Sequence, residues 1–229
     1  MKLFKIITAS VLLSLILVYP EVEAQKVEFG AGLSYGIPMG DFSDALESDP
    51  VGGNFYVTFP AGKLPFDIGV ELGIMTYGDD SRKENFNSQI PDVQVEVFRS
   101  YNIMTGNLLV RYQIDAGRIT PYIDGLAGFN YMFTKTSVRQ SDNTAALASS
   151  VNRDDAALNY GGGLGVKFDV FKIANKQVRM NINGRYLFSD EITYLNDGEL
   201  IVQNGTVAEN TTTSDTDLIV VNVGLSVSF

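Results

Sequence analysis

Four acidic side chains, with no basic residue among them, lie in one short segment of the sequence. They are Asp41, Asp44, Glu47 and Asp49, between residues 38 and 50. Clustered carboxylates could bind hard cations such as Ca²⁺ or Mg²⁺. The segment lacks the spacing of a calcium-binding loop, so these residues are weak candidates for a metal site. The simpler interpretation is an acidic loop in solvent.

The amino-acid composition excludes most catalytic mechanisms. The 229 residues include no His and no Cys, so the chain has no imidazole base, thiol nucleophile, disulfide or thiolate metal site. A carboxylate pair of the kind that hydrolyses glycosides stays open, but we expect no enzymatic activity and no cofactor. The formal net charge of −10 argues against nucleic acid as a partner.

Nine further charged residues fall at alternate positions of strand-like segments, on the face that carries small and polar residues. They are Glu28, Asp67, Glu71, Arg111, Asp124, Lys167, Asp169, Arg179 and Arg185. An unpaired charge in a narrow interior is costly, so this nearly balanced set predicts a network of salt bridges. We expect the network to plug the interior, and Arg111→Ala and Arg179→Ala to lower thermal stability. The alternative is a gated polar path.

The elements that would position these charges are eight strands in which side chains alternate with a period of two. Alternation is clearest in the last strand, where the odd positions from Ile219 to Phe229 are apolar. The other segments lie near residues 27–37, 51–59, 66–75, 100–113, 119–133, 158–170 and 178–188. Three connections are short, and four are long, at about 38–50, 78–95, 137–155 and 190–215. Since the long connections all fall at one end, the pattern predicts an all-β, up-and-down antiparallel barrel.

The first 24 residues have the three-part pattern of a secretory signal peptide. Lys2 and Lys5 precede an apolar run over residues 6–18, and Ala24 and Gln25 flank a suitable cleavage site. The run is shorter than the roughly 20 residues of a transmembrane helix. We therefore expect an exported chain in which residues 25–229 form one barrel domain.

Two kinds of barrel fit this alternation. A soluble barrel would enclose a ligand with its apolar face, whereas an outer-membrane barrel would turn that face toward lipid. Small Gly, Ser and Asn residues dominate the polar face, which suits a narrow interior. Aromatic residues occur near both ends of the apolar face, as at the two interfaces of a membrane. They are Phe59, Phe66, Tyr112, Phe168 and Phe229 near the short turns, and Tyr35, Phe55, Phe133, Tyr160 and Phe188 near the long loops.

Together these features resemble the small eight-stranded outer-membrane β-barrel proteins of Gram-negative bacteria. Residues 36–43, Gly-Ile-Pro-Met-Gly-Asp-Phe-Ser, are similar to the first-loop pattern of the PorT-like "outer membrane protein β-barrel domain" family. The chain resembles OmpX- and OmpA-type barrels over residues 25–229, without the periplasmic domain of the OmpA type. The resemblance implies an outer-membrane location, contact with lipid and lipopolysaccharide, and recognition of Phe229 by the barrel-assembly machinery.

The role expected for such a barrel is structural or interactive. Acidic extracellular loops would serve envelope integrity, adhesion or the binding of other envelope proteins, while charges plug the interior. The alternative is transport, either through a small porin-like pore or through a lateral opening for apolar solutes. Glycines 161–163 and 165 would permit distortion of the wall near such an opening.

Overall fold

Antiparallel strands form a wall that closes on itself. The computed structural model describes residues 27–62, 64–87, 90–114, 116–140, 146–173, 176–195, 200–203, 206–209 and 211–229. The expected signal peptide and its cleavage site at Ala24 and Gln25 lie outside these residues. The eight wall strands are β1 (Glu28–Pro38), β2 (Val51–Pro60), β3 (Phe66–Asn87), β4 (Ile90–Gln113), β5 (Ile119–Gln140), β6 (Ala146–Ile173), β7 (Lys176–Ser189) and β12 (Leu218–Ser228).

Closure is made by the first and last strands. The order around the barrel is β1-β12-β7-β6-β5-β4-β3-β2, and Glu28 of β1 pairs with both Ser228 of β12 and Thr58 of β2. Every wall strand is antiparallel to both neighbours. The predicted eight-stranded antiparallel barrel is confirmed. A closed wall has no open edge and pairs its backbone groups internally.

Alternate side chains point to opposite sides of this wall, as a pleated strand requires. On β3, the outward positions from Phe66 to Ile74 are exposed and apolar, whereas inward Asp67, Glu71 and Met75 are buried. β4 follows the same rule with exposed Leu108 and Val110. The apolar face therefore lies outside the barrel and the mostly polar face lies inside.

Two of the expected long loops are mainly strand. β3 continues to Asn87 and β4 begins at Ile90, while β5 continues to Gln140 and β6 begins at Ala146. The prediction of loops at 78–95 and 137–155 was wrong for these residues. Asp79 and Asp80, within the expected loop at 78–95, pair with Ser100 and Arg99 beyond a β-bulge at residues 76–78. Charged side chains interrupt the apolar alternation, but they leave the backbone free to continue its ladder.

The other two long connections contain short elements. Helix α1 (Asp41–Ala45) lies between β1 and β2. Between β7 and β12 lie β8 (Glu191–Tyr194), β9 (Leu200–Gln203), β10 (Thr206–Glu209) and β11 (Thr212–Asp215), where β8 pairs with β11 and β9 with β10. No helix among the described residues is long and apolar enough to cross a membrane.

Candidate functional site: the barrel interior and its cap

The centre of the barrel holds a group of buried ion pairs around Asp124. Arg111 Nε and Nη2 donate to the two Asp124 carboxylate oxygens at 2.8 and 3.0 Å, and Arg185 Nη2 donates to Oδ2 at 2.8 Å. Arg185 Nη1 also donates to Glu71. All four side chains are almost completely buried. Arg111 and Asp124 are direct cross-strand neighbours on β4 and β5, whereas Glu71 and Arg185 reach across the interior from β3 and β7.

A second buried group lies beside the first. Lys167 Nζ donates to Glu28 Oε2 at 2.6 Å and to Gln113 Oε1 at 3.0 Å. Gln113 Nε2 in turn donates to Asp67 Oδ2 at 2.8 Å. Asp67 thus contacts an amide in this network rather than a base. We call these two groups together the charge layer: Arg111, Asp124, Arg185, Glu71, Lys167, Glu28, Gln113 and Asp67.

The last two charges of the expected set form a separate pair. Arg179 Nε donates to Asp169 Oδ1 at 3.0 Å, and the two side chains are 23% and 27% exposed. Water screens a pair of this kind, so its contribution to stability is small. Arg179 is therefore not equivalent to Arg111, although the sequence gives no reason to separate them.

Two tyrosines complete the charge layer and were not singled out from the sequence. The Arg111 guanidinium lies 3.9 Å from the centre of the Tyr122 ring and 4.9 Å from that of Tyr56, so both rings stabilise its charge. Tyr122 Oη donates to Asn181 Oδ1 at 2.6 Å, Asn181 Nδ2 donates to Tyr56 Oη at 2.9 Å, and Tyr56 Oη donates to Glu28 at 3.1 Å. These hydrogen bonds join the tyrosines to the Lys167 group, and the two cation–π contacts join them to Arg111, so the two groups form one continuous layer.

Glycine makes room for these two rings. A Cβ atom at Gly165 would lie 2.2 Å from Tyr122 Cζ, and one at Gly30 would lie 2.2 Å from Tyr56 Cζ. Each ring thus lies against the bare backbone of another strand. Inward tyrosines facing inward glycines are the sequence signal that could have identified Tyr56 and Tyr122.

We predict that Gly165→Ala destabilises the barrel by about 1–3 kcal/mol, because the methyl group must displace the Tyr122 ring and disturb Arg111. Gly184→Ala is the matched control, since a Cβ atom there meets nothing within 4 Å. The measurement is the urea midpoint of refolded protein in lipid vesicles. Equal midpoints for the two variants would contradict this packing.

A cluster of buried apolar residues, which we call the apolar seal, lies between the charge layer and the long-loop end. Its buried residues come from the wall, from α1 and from the β8 segment. They are Phe42, Met75, Tyr77, Tyr101, Ile103, Leu109, Leu126, Met132, Leu187, Ile192, Tyr194, Leu195, Leu218 and Val220. Phe42 packs edge-on against Tyr194, with ring centres 5.5 Å apart, and Tyr77 Oη donates to the Leu195 carbonyl at 3.1 Å. We call residues 39–50 and 190–217 the cap.

We expect Phe42→Ala to open the cap without unfolding the wall. A buried Phe truncated to Ala costs about 3–5 kcal/mol, and Phe42 holds α1 in the barrel mouth rather than pairing wall strands. Hydrogen exchange of backbone amides should rise in residues 39–50 and 190–195 but not in β3. Phe55→Ala, at an exposed outward position, is the control. Unchanged exchange in the cap would show that Phe42 does not anchor it.

The loop acids proposed as weak metal ligands lie on this cap. Asp41, Asp44, Glu47 and Asp49 are exposed, and Asp49 accepts a hydrogen bond from Tyr35 Oη. Among the residues that the structure describes, no group of three or more acidic side chains could hold a metal ion. The four acids form an exposed, negatively charged surface on the cap.

Little space remains inside the barrel. Two small cavities of about 10 and 20 Å³ lie on the β1–β2 side, lined mainly by polar residues such as Asn54 and Asn222. A cavity of roughly 10–15 Å³ holds one water molecule. In the described part of the chain, the buried side chains of the charge layer and the apolar seal lie across the interior.

Comparison with known proteins gives similarity of structure but not of sequence. No protein-family profile matches the chain, and no curated protein matches it. Similar solved structures include Ail of Yersinia pestis (TM-score 0.46, 12% identity, 90% of this chain and 100% of that chain). They also include neisserial surface protein A (0.43, 11%, 90% and 98%) and the outer membrane protein OprG of Pseudomonas aeruginosa (0.41, 14%, 90% and 97%).

These neighbours are small outer-membrane β-barrels. The narrower resemblance to the PorT-like family stays an expectation. The chain's own strand pairing, and not these similarities, establishes it as a closed eight-stranded antiparallel β-barrel.

Proposed function

We propose that the protein is an integral outer-membrane barrel with a sealed interior, which acts through its acidic extracellular cap. The observation that carries the proposal is the distribution of polarity. The wall exposes a continuous apolar surface, including Leu33, Leu108 and Leu164 at 75%, 65% and 67% exposure. Charged residues such as Arg111 and Lys167 are instead fully buried.

A barrel with an apolar outside and a charged inside is more stable in lipid than in water. A soluble barrel buries its apolar face, whereas a membrane barrel turns it outward and pairs every backbone group within a closed wall. Exposed aromatic residues occur toward both ends of the apolar surface, with Phe66 and Tyr112 near the short turns and Tyr35 and Tyr160 near the cap. Aromatic residues prefer these depths because they are amphipathic.

The two ends differ in charge, which supports an orientation with the cap outside the cell. The cap contains no Lys or Arg, and its acids include Asp41, Asp44 and Asp215. The short-turn end carries Arg118, Lys172 and Lys176. Outer-membrane barrels place short turns in the periplasm and long loops outside.

The sealed interior favours an interaction role over transport. A porin-like pore would require both the charge layer and the apolar seal to open. A lateral opening would require a gap in the wall, but the pairing of β5 with β6 and β6 with β7 runs through glycines 161–163 and 165. The cap lies at the end of the barrel that would face water outside the cell, and its charge suits adhesion to, or binding of, a basic partner.

Fractionation and surface proteolysis test this proposal. The protein should stay with the membrane after an alkaline carbonate wash, and protease added to intact cells should cut only the cap and the adjoining hairpins. A cap variant with Asp41→Asn, Asp44→Asn and Glu47→Gln should bind immobilised polylysine more weakly than the wild type. Release by carbonate would refute the membrane location, while unchanged polylysine binding would refute the role of the cap.

A further inference from the structure

An exposed aromatic cluster stands on the outer wall just below the cap. The Tyr186 and Phe188 rings lie 4.4 Å apart, and the Phe188 and Tyr160 rings are stacked at 5.5 Å. Tyr160 is 60% and Phe188 44% exposed. We call these three residues of β6 and β7 the aromatic ledge. The rings pack on one another, and part of their surface stays exposed on the outside of the barrel.

A fixed carboxylate completes the ledge. Asp217 Oδ2 accepts a hydrogen bond from Tyr186 Oη at 3.0 Å, and Oδ1 accepts one from the Ser189 backbone N–H at 3.0 Å. No Lys or Arg among the described residues forms an ion pair with Asp217. The carboxylate is therefore held in place beside the rings, and no described Lys or Arg side chain pairs with it.

The wall beneath the ledge is shallow. Gly162 pairs with Tyr186, and Gly184 pairs with Leu164; both glycines face outward. A Cβ atom at Gly184 would meet nothing within 4 Å. Leu158 and Leu164, on either side of Tyr160 and Gly162 along β6, are each 67% exposed. The two outward glycines therefore leave a shallow groove with apolar neighbours next to the ledge.

We propose that the ledge and groove bind a lipid whose headgroup carries a protonated amine. An ammonium group is attracted both by ring faces and by a carboxylate, and the acyl chain would lie in the groove. Ca²⁺ needs about six to eight oxygen ligands, and one carboxylate does not supply them. The headgroup chemistry thus follows from aromatic rings next to a single unpaired acid.

The inference rests on the proposed membrane location, and one experiment separates the two. The chain contains no Trp, so a single Trp reports on its own surroundings. Leu158→Trp places the reporter beside the ledge, and Leu72→Trp places it at a lipid-facing position of β3, remote from the ledge in the wall order. Each variant is refolded in phosphatidylglycerol vesicles containing increasing fractions of dibrominated phosphatidylethanolamine or dibrominated phosphatidylglycerol. Both lipids carry a phosphate, so the amine is the relevant difference.

The quenching of tryptophan fluorescence at residue 158 should show that the amine lipid is preferred over phosphatidylglycerol by about threefold or more. This is the size expected for an exposed cation–π contact. Residue 72 should show no such preference. Asp217→Asn and Phe188→Leu, each made with Leu158→Trp, should bring the preference down to the value at residue 72. Equal preference at both reporters, or a preference that survives both variants, would overturn the lipid site. Absence of quenching at either reporter would instead overturn the membrane location.

Discussion

Asp124→Ala should be the most destabilising single change in the charge layer, at about 3–5 kcal/mol of unfolding free energy. The Asp124 carboxylate accepts three hydrogen bonds from Arg111 and Arg185. Removing it leaves Arg111 without its ion-pair partner and Arg185 with Glu71 alone, in a nearly dry interior. Most of this cost comes from the buried arginine charge that is left without a partner. The lost attraction of the ion pair matters less, because the Asp124 carboxylate no longer has to be desolvated on folding.

Asp169→Ala is the matched control for this result. It removes an acid of the same type from a direct cross-strand pair with Arg179. Because that pair is partly exposed, the expected loss is at most about 1 kcal/mol. Urea unfolding in lipid vesicles, followed by the shift between folded and unfolded bands on a gel, measures both variants. Equal losses would show that the charge layer contributes no more than a surface pair.

Leu164→Arg should cost about 2–4 kcal/mol when the barrel is folded in a bilayer, because a charge on the lipid face near the midplane is poorly solvated. Leu164 is exposed on β6 and pairs with Ile123 and Gly184. It thus stands on the outer wall between the ledge and the short turns. For a soluble barrel, the same substitution would place a charge in water and would cost little.

The comparison variant is Asp215→Arg, which puts the same side chain on the exposed cap. We expect its unfolding free energy in vesicles to stay within about 0.5 kcal/mol of the wild type, as for other surface changes. A large difference between the two arginine variants supports lipid around the wall. If Leu164→Arg folds as stably as Asp215→Arg, the wall does not face lipid.

The wall itself was predictable because strand parity is a local property of the sequence. The odd apolar positions from Ile219 to Phe229 indicate which side chains share a face, before any partner strand is known. The same parity assigned Arg111 and Asp124 to the interior. Once the two strands are paired in register, they become neighbours. Phe229, expected to be an assembly signal, lies after β12 and packs edge-on against Phe29 at 5.6 Å.

The cap was not predictable in the same way, because it depends on contacts between distant segments. Phe42 was part of a loop pattern, and nothing local shows that its ring enters the barrel mouth to meet Tyr77 and Tyr194. The inward face was expected to carry mostly small and polar residues. Inward Ile103 and Met132, which belong to the apolar seal, break that rule where the cap closes over them.

Strand ends were misjudged for a related reason. The apolar alternation stops before residues 78–95 and 137–155, and for this reason the sequence predicts loops there. In the structure, β3 to β6 continue through much of these segments. Backbone hydrogen bonds can extend a hairpin past the part of the wall whose outer face is apolar. Hydropathy therefore shows where the apolar outer surface ends, and it does not show where the strand ends.

Current through a planar bilayer tests the central claim, a sealed barrel in a membrane, most directly. Protein refolded in detergent is added to one side, and insertion is verified by recovery of the folded band from the membrane. The charge layer and the apolar seal predict no steady, discrete openings under an applied voltage. Stable single-channel steps from the inserted wild-type protein would contradict the sealed interior and would make transport the function to pursue.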